Sequence, residues 1–177
     1  ALWRHIYQPN FGGLNSLLRV LGVAGPNWLF DTTWALPALM FMGTWVSAGR
    51  YMVIFLAGLQ GVPQHLYESA EIDGASWWQK FRGITLPLLT PTIYLVSILT
   101  VIQSFMVFTH AYIMTNGGPA NATLVAILYI YRKAFEDFQM GYASAQAWIL
   151  FLIILIITLV QKRLEKYVYY ESAGGAA

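Results

Sequence analysis

The chain has 177 residues, of which 58% are hydrophobic and only 10% are charged, whereas soluble domains carry about 25% charged residues. The net charge is +2, and the ten Lys and Arg residues are too scattered to form a nucleic-acid-binding face. There is no Cys, which excludes disulfides, thiolate metal sites and Cys nucleophiles. This composition predicts an all-α integral membrane protein.

The N-terminal 33 residues are rich in aromatic residues, Asn, Gly and Pro, with a short amphipathic segment at 14–21. The first residue is Ala, and no basic segment with a small-residue cleavage site precedes an apolar stretch. We therefore expect the chain to be the C-terminal part of a longer polypeptide, forming a single membrane domain over 1–177.

Three later segments are apolar enough to cross a membrane, since a hydrocarbon core of about 30 Å requires roughly 20 apolar residues in a helix. They cover about 36–59, 88–114 and 142–161. A soluble protein would leave three such segments in one short chain with nothing to bury them. The sequence therefore predicts three transmembrane helices.

Lys and Arg counts give the orientation of these spans. With three spans, the loop at 60–87 and the C-terminal tail lie on the same side. That side holds five basic residues and the other side holds four, which favours a cytoplasmic loop and tail. The five are Lys80, Arg82, Lys162, Arg163 and Lys166.

The loop between the first two spans is charged and well patterned. We predict short helices at 64–72 and 75–81, joined by a turn at Asp73-Gly74, where Gly is free to adopt positive φ. The result is a compact knob (residues 64–81). Trp77 and Trp78 fit two interpretations equally, a docking surface or an interfacial aromatic belt.

The segment between the second and third spans contains a turn signal followed by a helix signal. A strong turn signal occurs at 116–119, with the sequence Asn-Gly-Gly-Pro. Residues 123–135 then predict an amphipathic helix with Arg132 and Lys133 near its end. Thirteen residues are too few to cross a membrane, so this helix is expected at an interface.

Between Glu68 and Pro87 the loop reads Glu-x-Ala, three residues, Gly, nine residues and Ile-x-Leu-Pro, with Ser69 as the x and Ala70 as the Ala. This loop pattern resembles the cytoplasmic coupling loop of permease subunits in binding-protein-dependent ABC importers. The sequence 56–63 and the turn 115–119 with Thr123 are similar to the sugar-importer branch, in particular to the first permease subunit of maltose-type and glycerol-phosphate-type systems. Such permeases usually have Ala in place of Ser69, and more spans than the three found here. The residues that match the loop pattern are Glu68, Ser69, Ala70, Gly74, Ile84, Leu86 and Pro87.

The resemblance implies an inner-membrane, multi-pass subunit that works with an ATP-binding subunit, a second permease subunit and an extracytoplasmic solute-binding protein. The loop would sit in a cleft of the ATPase and move as a lever. The chain has no Gly-x-x-x-x-Gly-Lys-Ser/Thr sequence for the ATP chemistry itself, and no cofactor is expected. The expected ATPase-coupling residues are Glu68, Ser69, Ala70, Asp73, Gly74, Trp77 and Phe81.

A candidate substrate path begins on the first span. Gly43, Ser47 and Arg50 are spaced at i, i+4 and i+7, which places them on one helix face. Arg at a helix centre costs about 2.5–3.5 kcal/mol, so Arg50 is expected to face protein or water. Interhelical hydrogen bonding remains an alternative for Ser47, and a structural ion pair remains one for Arg50.

The second span repeats this spacing with Gln103, Val107 and His110, and Ser104 lies next to Gln103. In the resembling family, residues of these two helices flank the sugar site, although the residue types differ here. Alternatives stay open: interhelical hydrogen bonds for Gln103 and Ser104, and an interface position near the outer leaflet for His110.

Three classes of function follow. The first is a permease subunit for a carbohydrate or polyol, with an anionic solute such as a glycerol phosphate as the alternative. The second is a membrane enzyme, which lacks support because the loop acids lie in a solvated loop and the three His residues, at 5, 65 and 110, form no metal motif. The third is a receptor or assembly protein, which would not require the loop pattern.

Overall fold

The computed structural model describes residues 2–163, and no strand occurs within this range. Lys166 of the predicted cytoplasmic tail lies outside the described residues. The all-α class is confirmed. The helices are α1 (Leu2–Ile6), α2 (Gly13–Val20), α3 (Ala35–Gln60), α4 (Gln64–Ile72), α5 (Trp77–Lys80), α6 (Leu86–Leu88), α7 (Thr90–Phe105), α8 (Thr109–Met114), α9 (Ala126–Tyr131) and α10 (Met140–Lys162), with π-helical turns at Phe81–Thr85 and Arg132–Glu136.

Two helices are individually long and apolar enough to cross a membrane. These are α3, with 26 residues, and α10, with 23 residues. They cover the first and third predicted segments. Most of their large side chains are exposed, for example Trp45, Met52 and Trp148 at 67%, 72% and 65%. Such surfaces require lipid or neighbouring helices to cover them.

The second predicted segment, 88–114, differs from a single continuous helix. The helix α7 ends at Phe105, residues 106–108 are not helical, and α8 begins at Thr109. At its other end, α7 follows the helical stretch Trp77–Leu88 at an angle of 61°, and the two together are apolar and long enough for a third span. The interruption lies among Met, Val and Phe, so a count of apolar residues does not reveal it.

Prolines explain the bend before α7. Pro91 has no N–H to donate to the carbonyl of Pro87, four residues earlier. A backbone N–H at the end of α6 and the hydroxyl of Thr90 donate to that carbonyl oxygen instead. The backbone therefore changes direction without leaving the Pro87 carbonyl unpaired, an important condition in a membrane.

The described chain divides into two compact units. Among the described residues, the first comprises 2–47 together with 103–153, and the second comprises 48–102 together with 154–163. In the first unit, an apolar core forms around Tyr7, Met42 and Leu128, which are at most 2% exposed. The Tyr7 hydroxyl donates to the carbonyl of Ala38 at 2.7 Å, and burial raises the pKa of Tyr7 to about 12.

The second unit contains a close helix contact at the end of α3. A Cβ on Gly58 would lie 2.5 Å from Oγ1 of Thr92 and 3.1 Å from Cδ2 of Leu89. The absence of a side chain therefore lets the last turns of α3 lie directly against the first turn of α7. Small residues are the usual means of such close approach between membrane helices.

Candidate functional site: the knob between two apolar segments

The knob has the local structure that the sequence predicts. Its first helix, α4, covers the predicted 64–72 exactly as expected. Gly74 then has a φ of +73°, and a Cβ there would meet no atom within 4 Å. The second helix, α5, begins two residues later than the predicted 75–81 because Ser76 caps it, and after Lys80 the chain continues as a π-helical turn. In the cap, Gln79 Oε1 accepts from the Ser76 amide at 2.7 Å, and the Gln79 amide donates to Ser76 Oγ at 3.4 Å.

An aromatic patch (Trp77, Trp78 and Phe81) lies on this second helix and the turn that follows. The ring centroids of Trp77 and Phe81 are 5.6 Å apart and those of Trp78 and Phe81 are 5.5 Å apart, both pairs being stacked. Trp77 is nevertheless 71% exposed and Trp78 is 58% exposed. Ile72, which was not among the predicted coupling residues, is 87% exposed on the same knob. Large exposed apolar groups beside charged ones are typical of a protein-binding surface.

The predicted acidic coupling residues of the knob lie on its first helix, α4, or directly after it. Glu68, Ser69 and Ala70 lie on α4, and Asp73 follows its last residue. Glu68 and Asp73 are exposed, and Ala70 is half-buried. The Ser69 hydroxyl donates to the carbonyl of His65 within the helix. The knob therefore presents carboxylates and an apolar surface together.

An ion pair crosses the corner of the knob. Nζ of Lys80 lies 2.7 Å from Oε1 of Glu71, and the hydrogen bond and charge of Lys80 lower the pKa of Glu71 below its ordinary value of 4.5. The sequence did not indicate this pair, because the two residues lie nine positions apart across a turn. Exposed pairs of this kind are screened by salt and contribute little stability.

This ion pair predicts a pH response of the knob. Because the folded-state pKa of Glu71 is lowered, the stabilisation is present above its ordinary value and is lost as the pH falls through the lowered value. The protection of the amides at 71–80 against hydrogen exchange, corrected for the pH dependence of the intrinsic exchange rate, should therefore decrease on acidification in the native protein. A Lys80→Met variant should exchange faster already at neutral pH and respond less to acid, whereas Lys80→Arg should behave like the native protein. An acid response of equal size in Lys80→Met would contradict the assignment.

A second link joins the knob to the helix that follows it. The hydroxyl of Tyr67, in the middle of α4, lies 2.8 Å from Oγ1 of Thr85, the last residue of the π-helical turn. Both residues are half-buried. The sequence does not predict this contact, because it depends on a bend between residues 18 positions apart.

The candidate path residues are distributed over several elements. Gly43, Ser47 and Arg50 all lie on α3, the first two half-buried and Arg50 exposed. Gly43 and Ser47 belong to the first unit, and Arg50 belongs to the second. A Cβ on Gly43 would meet no atom within 4 Å. The α3 residues therefore lie on one helix, as the spacing requires.

The other candidate path residues do not form one helical stripe. Gln103 and Ser104 lie at the end of α7, Val107 lies in the interruption, and His110 lies on α8. The predicted i, i+4, i+7 face is therefore wrong for these residues, because the helix stops at Phe105. Gln103, Val107 and His110 are half-buried and Ser104 is exposed.

A tight turn follows α8 in the first unit. Asn116 and Gly117 have positive φ values of 45° and 76°, and Arg132 donates to the Asn116 carbonyl oxygen. Thr123 is fully buried; its Oγ1 donates to the Gly118 carbonyl at 2.7 Å and lies 2.6 Å from Oγ1 of Thr115. The helix predicted at 123–135 is replaced by the shorter α9 and a π-helical turn.

The buried hydroxyl of Thr123 gives a stability prediction. Thr123→Val keeps the shape and removes the donor to the Gly118 carbonyl, which should cost about 1–3 kcal/mol. We expect a lower thermal unfolding temperature in detergent and faster proteolysis in the turn. Thr123→Ser retains the hydroxyl and should lose clearly less. Equal effects of Val and Ser would show that the methyl group, and not the hydrogen bonds, stabilises this turn.

Among residues 2–163, no group of three or more His, Cys, Asp or Glu side chains is placed to hold a metal ion. A cavity of about 260 Å³ lies in the first unit, with Arg4, Phe30, Thr115, Asn116 and Pro119 among its lining residues. The residues predicted to couple to an ATPase lie on the knob, which belongs to the second unit.

The fold and the knob define a class: a helical membrane protein that presents a compact, partly apolar helical knob between two membrane-length stretches. Residues 9–168 match the family described as the binding-protein-dependent transport system inner membrane component, and the chain belongs to this family. It is therefore an integral protein of the inner membrane. The predicted membership in the permease family of ABC importers is confirmed.

Curated relatives agree with this assignment. The probable ABC transporter permease protein YesP of Bacillus subtilis strain 168 is 43% identical over 175 residues, covering 97% of this chain and 56% of YesP. The trehalose/maltose transport system permease protein MalF of Thermococcus litoralis is 36% identical over 166 residues, covering 93% of this chain and 56% of that protein. The chain thus spans a little more than half the length of these relatives.

Solved structures show the same fold. A bacterial ABC transporter involved in the import of the acidic polysaccharide alginate is similar with a TM-score of 0.83 and 26% identity, over 96% of this chain and 59% of that chain. A bacterial alginate ABC transporter in complex with an alginate pentasaccharide-bound periplasmic protein matches with a TM-score of 0.82 and 26% identity, over 93% of this chain and 57% of that chain.

Proposed function

We propose that the chain is part of the permease subunit of an ATP-driven importer, and that the knob couples it to a separate ATP-binding subunit. The single observation that supports this most is the Gly74 corner, which presents exposed carboxylates beside the aromatic patch. Such a surface suits a groove in a partner. The subunit itself would carry out no ATP chemistry.

The coupling roles follow from the geometry of the knob. Glu68 and Asp73 supply exposed acceptors for polar contacts, and Ala70 and Ser69 keep the helix slim where it would enter a cleft. Trp77 and Phe81 supply apolar area, since aromatic residues dominate binding energy at interfaces. Gly74 fixes the angle between the two short helices.

We propose further that the complete importer includes a second permease subunit and an extracytoplasmic solute-binding protein. The exposed apolar faces of α3 and α10 support this, because neighbouring helices and lipid must cover them. One alginate transporter has been solved with its periplasmic protein bound, which is a precedent for the binding protein.

The favoured solute is a carbohydrate or polyol. MalF of Thermococcus litoralis is named for trehalose and maltose, and one solved neighbour takes part in alginate import. Arg50 and Ser47 on α3, with Gln103 and Ser104 on α7, would provide hydroxyl-binding groups, while Gly43, Val107 and His110 would line the remaining path. An anionic solute such as a glycerol phosphate is the second candidate, because a guanidinium binds phosphate or carboxylate bidentately.

Ligand identification tests the solute class. The cognate binding protein would be captured with the complete importer, and its bound solute would be identified by mass spectrometry. Uptake into proteoliposomes would then be measured with trehalose, maltose, an alginate oligosaccharide and glycerol 3-phosphate as probes. ATP-dependent uptake of a saccharide supports the first candidate, and uptake of glycerol 3-phosphate alone supports the second. A bound solute that is neither would refute both.

The proposed topology has a direct test. The knob is expected in the cytoplasm and the turn at 116–121 on the opposite side. Because the chain has no Cys, single Cys residues at Gln64 and Asn121 would be unique in it. An impermeant thiol reagent added to intact cells should label Asn121→Cys and spare Gln64→Cys. Labelling of Gln64→Cys from outside would refute the orientation. Ser172, suited to the same test of the tail, lies outside the described residues.

A further inference from the structure

Side-chain contacts tie the knob to the base of the helix that enters the membrane. Along the backbone, α4 is connected to α7 through the Gly74 corner, the four-residue α5, a π-helical turn and the bend of 61°. The chain changes direction at Gly74 and again at the bend before α7, and the turn between α5 and α6 is π-helical. Along this route, a displacement of α4 passes both changes of direction before it reaches α7.

The hydroxyl pair of Tyr67 and Thr85 bypasses that route. It joins the middle of α4 directly to the last residue of the π-helical turn, at an O–O distance of 2.8 Å. Residue 85 immediately precedes α6, and α7 begins five positions later. The pair therefore spans the corner, α5 and the π-helical turn with one contact.

The other contact across the corner, the ion pair of Lys80 and Glu71, is more sensitive to salt. Lys80 and Glu71 form an ion pair in which the Glu71 side chain is 64% exposed, so salt screens it. Tyr67 and Thr85 form a half-buried hydrogen bond between two hydroxyl groups, which salt does not screen as it screens an exposed ion pair. It is therefore the more constant of the two links.

A movement of Thr85 would be passed on to the start of α7 and to the end of α3, because these two helices are packed closely together. Gly58 of α3 lies so close to Thr92 and Leu89 that the first turn of α7 and the last turns of α3 are packed without a gap. Displacing the start of α7 thus involves the end of α3 as well. The candidate path residue Arg50 lies on α3 in this same unit.

We propose that Tyr67 and Thr85 are positioning residues that latch the knob to the helical entrance of α7, so that ATPase movement is transmitted to the membrane helices. This inference rests on the proposed function. In this proposal, the two hydroxyl groups transmit movement within the permease, whereas other residues of the knob form the surface that binds the ATPase.

The test uses the complete, membrane-reconstituted importer with otherwise Cys-free subunits. A Cys at Leu95, which is 50% exposed on α7, would carry an environment-sensitive fluorophore, and ATP with vanadate would be the probe. Tyr67→Phe and Thr85→Val each remove one hydroxyl. Each should reduce the ATP-driven fluorescence change about threefold to tenfold, as expected for one net hydrogen bond, while ATPase assembly is retained.

Matched variants separate the latch from a general structural effect. Thr85→Ser keeps the hydroxyl and should restore the signal. Thr44→Val makes the same chemical change at a residue whose hydroxyl donates to the Met40 carbonyl of its own helix, and should retain the native signal. The double variant Tyr67→Phe/Thr85→Val should be no worse than either single variant. Full native signals in both single variants would overturn the latch.

Amide hydrogen exchange distinguishes failure of the latch from failure of the proposed function. Removing either hydroxyl should speed exchange at 64–72 about threefold to tenfold, whether or not ATP drives any movement. Unchanged exchange would overturn the latch. If exchange rises while the native complex shows no ATP-driven signal at Leu95→Cys, the contact exists but the transmission assigned to it is refuted, and with it the coupling role of the knob.

Discussion

Replacing Gly74 by Val should abolish solute uptake while leaving the amount of the protein in the membrane unchanged. Gly74 has a φ of +73°, and an L-residue in this region costs about 1–2 kcal/mol, more for a β-branched side chain. Because a Cβ at this position would meet no atom within 4 Å, the effect comes from the backbone and not from a clash. The corner opens and the two short helices of the knob lose their relative angle.

Two controls isolate this backbone effect. Gly74→Asn introduces a residue that tolerates left-handed backbone and should retain much of the uptake. Gly83→Val adds the same side chain at a helical position that is equally open, and should have a far smaller effect. Uptake assays and membrane immunoblots of the three variants provide the comparison. Normal uptake by Gly74→Val would show that the corner geometry is irrelevant to transport.

Replacing Arg50 by Gln should reduce uptake of the native solute about tenfold or more, while assembly with the ATPase is preserved. Arg50 is the only charged residue of the 26-residue helix α3, and a charge inside a membrane helix is costly unless it faces protein or a watery path. Hydrogen bonds from a charged group to a ligand contribute about 1.5–3 kcal/mol, which sets the size of the effect.

A second variant and an assembly measurement decide the role of Arg50. Arg50→Lys keeps the charge but loses the planar, bidentate donor set, so it should be intermediate for a neutral sugar and closer to Gln for a phosphate or carboxylate. Co-purification of the ATPase measures assembly. If Arg50→Gln assembles poorly, Arg50 is a structural ion-pair partner and does not act on the solute.

The knob was predictable because its determinants are local. Pro63 precedes the first helix, a glycine stands at the corner where the backbone has a positive φ, and Ser76 with Gln79 forms a capping box three positions apart. The helix at 64–72 and the positive φ at Gly74 are confirmed. The functional roles of the coupling residues stay predictions, as do those of the path residues.

The end of the second apolar segment was not predictable in the same way. Hydropathy extends unbroken through Met106, Val107 and Phe108, although α7 has already ended at Phe105. The residue types give no signal of the interruption. The sequence therefore predicts one helix face from Gln103 to His110, and the structure has no such face. Periodicity arguments hold only while the helix continues.

Contacts between distant positions were also beyond the sequence. The Tyr67 to Thr85 bond and the Arg132 to Asn116 bond join residues 18 and 16 positions apart. Thr85 is the last residue of one π-helical turn, and Arg132 is the first residue of the other. Such turns have no dependable signal in a single sequence, so the residues that brace the knob and the turn at 116–121 emerge only from the structure.

The most direct test of ATP coupling through the knob is the rate of ATP hydrolysis by the complete importer in proteoliposomes, measured with and without its solute-loaded binding protein. Adding the loaded binding protein should raise hydrolysis together with solute uptake, and Gly74→Val should remove both responses. Hydrolysis that ignores the binding protein, or a full response in the Gly74→Val importer, would contradict this coupling.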